Sequence, residues 1–142
     1  MKYLFTLLLM LVSFNAFSCG KDKNVLEKEA FVSVRSHGDS SIVDIYFPRT
    51  VEGAAFSGAI IRYEQNDKSI FSMPLAAHDT SKYKTSEQYK DMMATNISGH
   101  NSELTNFTIL VMYRFPVGKD GFMAMCGPER EYRVSELTSG KL

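Results

Sequence analysis

Residues 105–115, Thr-Asn-Phe-Thr-Ile-Leu-Val-Met-Tyr-Arg-Phe, carry the strongest strand pattern in the chain. The centre of this run, residues 109–112, is apolar at every position, which is typical of a strand in the middle of a sheet. A turn cluster of proline, glycine, lysine and aspartate follows it. We therefore expect residues 122–126 to return as an antiparallel partner, and residues 129–134 to continue that partner as an edge after a bulge.

Two hairpins are predicted before this central strand. In the first, residues 31–35 and 41–47 flank the turn sequence His-Gly-Asp-Ser, and the later run alternates between apolar and polar positions. In the second, residues 56–63 and 69–73 are rich in apolar and aromatic side chains and flank the turn sequence Gln-Asn-Asp-Lys. A proline marks the end of the second strand of each hairpin.

The sequence between residues 75 and 99 fits two descriptions. A helix would begin at the capping-box pattern of Thr85 and Gln88 and would align apolar residues four positions apart. A strand would align alternate residues instead. We expect a short helix or irregular stretch near residues 86–91, followed by a strand near residues 93–98.

Six or seven short strands with turn signals between them predict a mainly β protein. The general pattern looks like a single-domain immunoglobulin- or fibronectin-type antiparallel β-sandwich, with one short helix or irregular crossover between the sheets. A small open β-barrel is the alternative. No repeat or linker divides the chain, so residues 19–142 are expected to form one domain. Its predicted core is Val43, Ile45, Phe47, Ile61, Phe71, Phe107, Ile109, Val111 and Tyr113.

Residues 1–18 are predicted to be a secretory signal peptide that is not part of the fold. Met1 and Lys2 give a positive start, residues 4–14 are almost wholly apolar, and residues 16–18 resemble a cleavage site. The apolar run is too short for a membrane span, which needs about 20 residues. We therefore expect an exported protein, periplasmic or secreted, with no transmembrane segment after processing.

Cys19 follows the predicted cleavage site, and its chemistry has two interpretations. Cys126 is the other cysteine of the chain, and an even cysteine count in an oxidising compartment favours a disulfide between the two. Alternatively, Ala16–Cys19 resembles the lipobox of a bacterial lipoprotein, in which case a lipid on Cys19 would anchor the protein to the envelope. Asn15 and Phe17 depart from the lipobox pattern, so we adopt the disulfide.

Composition and motifs exclude several function classes. Sixteen Lys and Arg residues balance sixteen Asp and Glu residues, so the chain is not a polybasic nucleic-acid binder. The sequence contains no G-x-S-x-G, H-E-x-x-H or C-x-x-C motif and no Gly-rich phosphate loop. We therefore predict no catalytic residue, no cofactor and no enzyme activity. A cryptic hydrolase, whose catalytic groups meet only in the fold, is one alternative.

The sequence offers few metal ligands. Three histidines fall in predicted loops, where exposure is the expected state: His37, His78 and His100. Met123, Met125 and Cys126 carry soft sulfur atoms that favour Cu(I), so a periplasmic Cu(I)-binding protein is a second alternative. Residues two apart also share one face of a strand, as core residues do, and we therefore expect no metal site.

The connection between residues 78 and 90 interleaves tyrosine and lysine and is the predicted recognition segment. Tyrosine gives contact area at low entropic cost, and lysine attracts acidic partners. Its predicted partner-binding residues are Lys82, Tyr83, Lys84, Tyr89 and Lys90. The opposing interpretation is a solvated crossover whose tyrosines pack back on the sandwich. We expect a non-catalytic binding protein of the bacterial cell envelope, which binds or inhibits an unknown envelope protein or binds a glycan.

Overall fold

The structure is a computed structural model that describes residues 29–64, 70–116, 127–139 and 142. These residues form two antiparallel β-sheets packed face to face, with a few short helical turns, so the predicted mainly β sandwich is confirmed. The predicted signal peptide, both cysteines and residues 122–126 lie outside the described residues.

Four strands of the described residues form the first sheet: β1 (Phe31–His37), β2 (Ser40–Pro48), β6 (His78–Asp79) and β7 (Met92–His100). Their order across the sheet is β1-β2-β7-β6. β1 and β2 form the first predicted hairpin, and Gly38 in its turn has a φ of +62°, which glycine adopts without strain. β2 and β7 pair along their whole length, whereas β6 pairs with β7 only at Met93 and Ala94.

In the described chain, the second sheet contains five strands: β3 (Thr50–Val51), β4 (Ala54–Glu64), β5 (Ile70–Leu75), β8 (Phe107–Arg114) and β9 (Glu129–Arg133). β8 lies between β4 and β9, so the strongest strand pattern of the sequence is a central strand, as predicted. β3 and β5 both pair with β4, at different ends of that long strand.

Short helical elements complete the described chain. Helix α1 spans Asn101–Leu104, helix α2 spans Val134–Thr138, and two 3-10 turns span Thr80–Lys82 and Glu87–Tyr89. The second 3-10 turn followed by β7 matches the short helix and the strand that were expected in this part of the sequence. None of the helices in the described residues has the length and apolar composition needed to cross a membrane.

Side chains from both sheets fill the space between them. Inward-facing residues of β2 and β8 are fully buried: Val43, Ile45, Phe47, Ile109 and Val111. Tyr113 is also buried, and its hydroxyl donates a hydrogen bond to the carbonyl oxygen of Pro48 at 2.8 Å, which ties the second sheet to the first. Ile61 is buried as predicted, and Phe107 is half-buried.

The prediction that Phe71 belongs to the core was wrong. Phe71 lies on β5 with its side chain on the inner face, because it pairs with Tyr63 next to the buried Ile61. It nevertheless exposes 56% of its surface. The physical reason is that the first sheet does not extend far enough to cover this edge strand, since β6 is only two residues long.

Candidate functional site

The predicted recognition segment connects β5 to β7 and runs along the edge of the first sheet. It contains β6 and both 3-10 turns. Thr80 anchors the segment, because its buried hydroxyl lies 2.6 Å from the carbonyl oxygen of Tyr89 and 2.9 Å from that of Met92. These contacts hold the crossover close to the start of β7.

Lys84 and Tyr89 pack against the outer face of the first sheet. The Tyr89 ring lies 5.6 Å from the Phe31 ring and 4.9 Å from the Tyr46 ring, and these three residues are the aromatic cluster. Lys84 Nζ donates a hydrogen bond to the Tyr46 hydroxyl at 2.8 Å and lies 4.1 Å from the centre of the Tyr89 ring. The hydrogen bond to Tyr46 raises the pKa of Lys84, and the rings attract the cation.

Residues 81–88 of the crossover are exposed to solvent. Tyr83 exposes 75% of its surface, and its ring meets the ring of His78 edge-on at 6.0 Å. Lys82 and Lys90 are also exposed. Two of the five predicted partner-binding residues, Lys84 and Tyr89, therefore contact the aromatic cluster or belong to it, and all of the five except Tyr89 are exposed. The packed-back interpretation describes Tyr89 but not Tyr83.

Asp79 fixes the start of the crossover by accepting several hydrogen bonds. Its Oδ1 accepts one from the Ser81 hydroxyl at 2.7 Å and one from the Ser81 backbone N–H at 2.9 Å. Asp79 also forms an ion pair with Arg49, which lies between β2 and β3. These contacts, led by the Ser81 hydroxyl, hold the pKa of Asp79 below its ordinary value. The arrangement links the crossover to the point where the chain passes from one sheet to the other.

A second candidate site is a cleft between the two sheets, on the side bounded by β5 and β7. Its volume is about 650 Å³, which is within the range of roughly 300–1,000 Å³ that ligand pockets occupy. Apolar lining residues come from β4, β5, β7 and β8: Ile61, Tyr63, Phe71, Met73, Leu75, Ile97 and Phe107. Polar lining residues come from β7 and α1: Asn96, Ser98 and Glu103. We refer to the space lined by these residues as the cleft.

The cleft is open because β6 is short. β2 pairs with one side of β7 along its whole length, but β6 has only two residues, so within the described part of the chain no strand pairs with the other side of β7 from Asn96 to His100. The connection from β5 reaches the first sheet at Ala76, whose carbonyl oxygen accepts a hydrogen bond from the Thr95 hydroxyl at 2.6 Å. Where β6 does not pair with β7, β7 is the last described strand of the first sheet on this side. The second sheet has the additional strand β5 there.

Among the described residues that line the cleft, Glu103 is the one that carries a charge. The β5 wall, residues 70–75, contains no ionisable side chain. Glu103 lies in α1 beside Gly99, where a methyl group on the glycine would sit 3.8 Å from the carboxylate. The site therefore combines apolar side chains from both sheets with polar residues of β7 and α1, of which Glu103 carries negative charge.

A sequence signal for this cleft existed in the β5 segment. Residues 69–75 contain no charged side chain, although strands at the edge of a sheet are normally protected by charge. The pattern marked these residues as a strand but did not show that they form an edge. Whether another strand covers Phe71 and Met73 depends on the length of β6, a separate element that the sequence pattern does not indicate.

The remaining sequence candidates include the histidines and the sulfur-containing residues. Among the described residues, no three His, Cys, Asp or Glu side chains are grouped so that they could hold a metal ion. The three histidines are exposed, at strand ends or in the short β6: His37, His78 and His100. The candidate copper ligands Met123, Met125 and Cys126, and the candidate disulfide of Cys126 with Cys19, lie outside the described residues.

Comparison with protein-family models, with curated proteins and with solved structures finds no match for this chain. Its function therefore has to follow from its own residues and geometry. Two surfaces remain as candidates: the exposed part of the crossover around Tyr83, and the cleft.

Proposed function

We propose that this protein is a non-catalytic binding protein of the cell envelope and that the cleft is the surface with which it recognises another protein. The observation that supports this most directly is the exposure of two large apolar side chains on the inner face of one edge strand: Phe71 at 56% and Met73 at 46%. Exposed apolar edges promote aggregation, and contiguous apolar patches mark interaction sites. A bound partner would remove this surface from water.

The composition of the cleft fits a protein partner. Protein interfaces combine an apolar centre with a polar rim. Phe71, Met73 and Ile97 supply apolar side chains, while Glu103 and the exposed edge of β7 at Asn96 and Ser98 supply hydrogen-bonding groups. The residues proposed to contact the partner lie on the strands of the two sheets, apart from Glu103, which lies in α1.

The location in the cell envelope is proposed from the N-terminal sequence. Residues 1–18 have the charged start, apolar centre and small-residue end of a signal peptide. A short signal sequence that ends at a cysteine favours a bacterial source, and cleavage before Cys19 would release the protein to the periplasm or the medium. A lipid on Cys19 is the alternative and would keep the same domain on the envelope.

The order of the strands supports the immunoglobulin- or fibronectin-like interpretation of the sandwich. In the constant-type immunoglobulin domain, the first two strands of the chain pair in one sheet with two later strands, and the remaining strands form the facing sheet. Here the order β1-β2-β7-β6 makes up one sheet, and β4, β8 and β9 are consecutive neighbours in the facing sheet. Domains of this architecture serve many functions, so this likeness supports the fold and not a particular partner.

Photo-cross-linking in the source cell tests the proposal. A photo-reactive phenylalanine derivative at position 73 should give one discrete adduct with another protein, and the same group at position 35, on the outer face of the first sheet, should give none. Phe71→Ala in the position-73 version should abolish the adduct. Equal adducts at both positions, or an adduct that survives Phe71→Ala, would contradict the proposal. Hydrolysis of an ester, peptide or glycan by the purified protein would also contradict it.

The crossover is a second candidate recognition surface, because Tyr83 is three-quarters exposed between two lysines of the same segment. If it binds the partner, Tyr83→Ala should reduce cross-linking from position 82, while cross-linking from position 73 should be absent in the parent protein. The two hypotheses therefore predict opposite results for cross-linking from position 73: an adduct if the cleft binds the partner, and none if the crossover does.

A further inference from the structure

We infer that the cleft accepts an extended segment of the partner protein, which adds to the first sheet as a strand beside β7. This inference rests on the proposed function and specifies its mechanism: recognition by strand addition. The segment would pair with β7 between Asn96 and Gly99 and would lie over β5 of the facing sheet.

The backbone of β7 is available for this pairing. β7 pairs with β2 along all nine of its residues, and in an antiparallel pair every second residue turns its N–H and C=O away from the partner strand. β6 takes up these groups only around Met93 and Ala94. From Asn96 to Gly99, none of the described strands occupies the other side of β7. Peptides commonly bind to such edges because main-chain hydrogen bonds supply affinity that does not depend on sequence.

A strand at this position would also cover the exposed residues of β5. The two sheets face each other, and the cleft is lined both by β5, with Phe71 and Met73, and by β7, with Asn96 and Ser98. A strand added beside β7 would occupy the first sheet opposite β5. Its alternate side chains would point between the sheets and contact Phe71 and Met73. One bound segment would therefore satisfy the open edge of β7 and bury the apolar face of β5.

β7 is a better pairing edge than β5. Pro74 lies within β5 and has no backbone N–H, and proline on an edge strand hinders the addition of another strand there. The described part of β7 between Asn96 and Gly99 contains no proline. The two walls thus have different roles, because β7 offers backbone groups and β5 offers apolar side chains.

The charge of the cleft indicates one further property of the segment. Glu103 supplies a carboxylate at the end of the cleft where α1 follows β7, and no basic side chain lines the cleft in the described chain. Opposite charges across an interface favour correct register and suppress wrong partners. The bound segment is therefore expected to carry alternating apolar residues and a lysine or arginine near Glu103.

A synthetic peptide with these properties tests the inference. The probe is a fluorescent peptide of about seven residues, Lys-Val-Thr-Val-Thr-Val-Thr with blocked ends, whose length matches an ordinary strand. Two further versions carry N-methyl groups on one or the other set of alternate residues, so that each has one blocked backbone edge. Fluorescence anisotropy should show saturable binding of the parent peptide. One methylated version should bind similarly, and the other should lose binding, because a strand beside β7 uses only one of its edges.

Matched variants locate the binding. Phe71→Ala should weaken peptide binding by at least about tenfold, because a large apolar contact is lost. Ile70→Ala, on the same strand but the opposite face, should change it by less than about twofold. Glu103→Gln should weaken binding of the lysine peptide by about threefold and leave a peptide with norleucine in place of lysine unchanged.

The outcomes separate the inference from the proposed function. If both methylated peptides bind as well as the parent, binding uses side chains alone and strand addition is wrong. If no peptide binds but the position-73 cross-link to a partner survives, the inference fails and the proposed function stands. If neither is seen, both fail. A concentration-dependent dimer that Phe71→Ala abolishes, measured by sedimentation, would identify a second copy of the chain as the occupant and would also overturn the inference.

Discussion

Gly127 lies against the backbone of β8, where no other residue type fits. A Cβ atom at this position would overlap the carbonyl oxygen of Tyr113 and lie 3.0 Å from the Cα atom of Arg114. The backbone cannot easily yield, because the Tyr113 N–H donates a hydrogen bond to the Pro128 carbonyl oxygen at 3.0 Å. We expect Gly127→Ala to reduce the free energy of unfolding by about 1–3 kcal/mol, measured by chemical denaturation.

Gly99→Ala is the control for this prediction. The nearest atom to a Cβ at Gly99 belongs to the Leu104 side chain and is 3.7 Å away, an ordinary contact distance. The free energy of unfolding should change by less than about 0.5 kcal/mol. Equal effects of the two substitutions would show that the close approach at Gly127 has no energetic consequence.

Val111 occupies the centre of the core, and a charge there has no partner. The side chain is fully buried on the central strand β8. Val111→Asp should lower stability by about 3 kcal/mol or more and unfold the domain, because a carboxylate would lose its hydration without a compensating contact. Circular dichroism would show the loss of sheet, while Arg114→Asp, at the exposed end of the same strand, should remain folded.

Asp79 is expected to make the folded protein less stable at acid pH than at neutral pH. Its pKa in the folded protein is held below its ordinary value by the Ser81 hydroxyl first, then by the Ser81 N–H and Arg49. A carboxyl with a lowered folded pKa stabilises the protein above its unfolded pKa and ceases to do so as the pH falls through the folded pKa. The melting temperature of the parent should therefore exceed that of Asp79→Asn at pH 7, and the difference should shrink below about pH 4.

At the scale of the elements, the two tyrosines of the crossover differ although the sequence treats them alike. Tyr89 packs in the aromatic cluster and contacts Lys84, whereas Tyr83 is three-quarters exposed. Tyr89→Ala should lower the free energy of unfolding by about 1–2 kcal/mol, because ring contacts and the cation contact are lost. Tyr83→Ala should change it by less than about 0.5 kcal/mol. A larger effect at Tyr83 would contradict this assignment.

Strand patterns in the sequence predicted the elements that depend on local contacts. The hairpin of β1 and β2, the strand β4, the central strand β8 and the later strand β7 all follow from alternation and turn residues within short segments. The shortness of β6 and the exposure of Phe71 were not predicted. Both depend on the number of residues over which two strands from distant parts of the chain pair with each other. The periodicity of a single segment carries no information about that number.

The recognition surface was also difficult to predict, because it depends on contacts between distant parts of the chain. Lysine and tyrosine in residues 78–90 indicated a polar, aromatic connection. They did not indicate that Lys84 would bind the hydroxyl of Tyr46, which lies 38 residues away in the chain. The cleft was missed because its walls, β5 and β7, come from two different sheets. Phe71 of the β5 segment was assigned to the core, although the described strands of the facing sheet do not extend over it.

At the scale of the whole molecule, the open side of the sandwich is a property of both sheets together. The second sheet extends from β9 to β5, while the first sheet ends at β7 once β6 has paired with two residues. The opposite edge of the first sheet carries a charged cross-strand pair, Arg35 with Asp44 at 3.0 Å. Only the side with the cleft combines large exposed apolar residues with an uncovered strand among the described elements, which is why the proposals concern that side.

The covalent state of the mature chain is a prediction about the whole protein, and mass spectrometry of the exported form measures it. Cleavage before Cys19 with a disulfide to Cys126 predicts the mass of residues 19–142 less two hydrogen atoms. Reduction should then lower the melting temperature, since closing so long a loop stabilises the folded chain by up to about 4–5 kcal/mol in the chain-entropy model. A diacylglycerol adduct on Cys19 would instead identify a lipid anchor, with a melting temperature insensitive to reductant. Retention of Met1 would show that residues 1–18 are not a cleaved signal peptide, and both interpretations of Cys19 would be wrong.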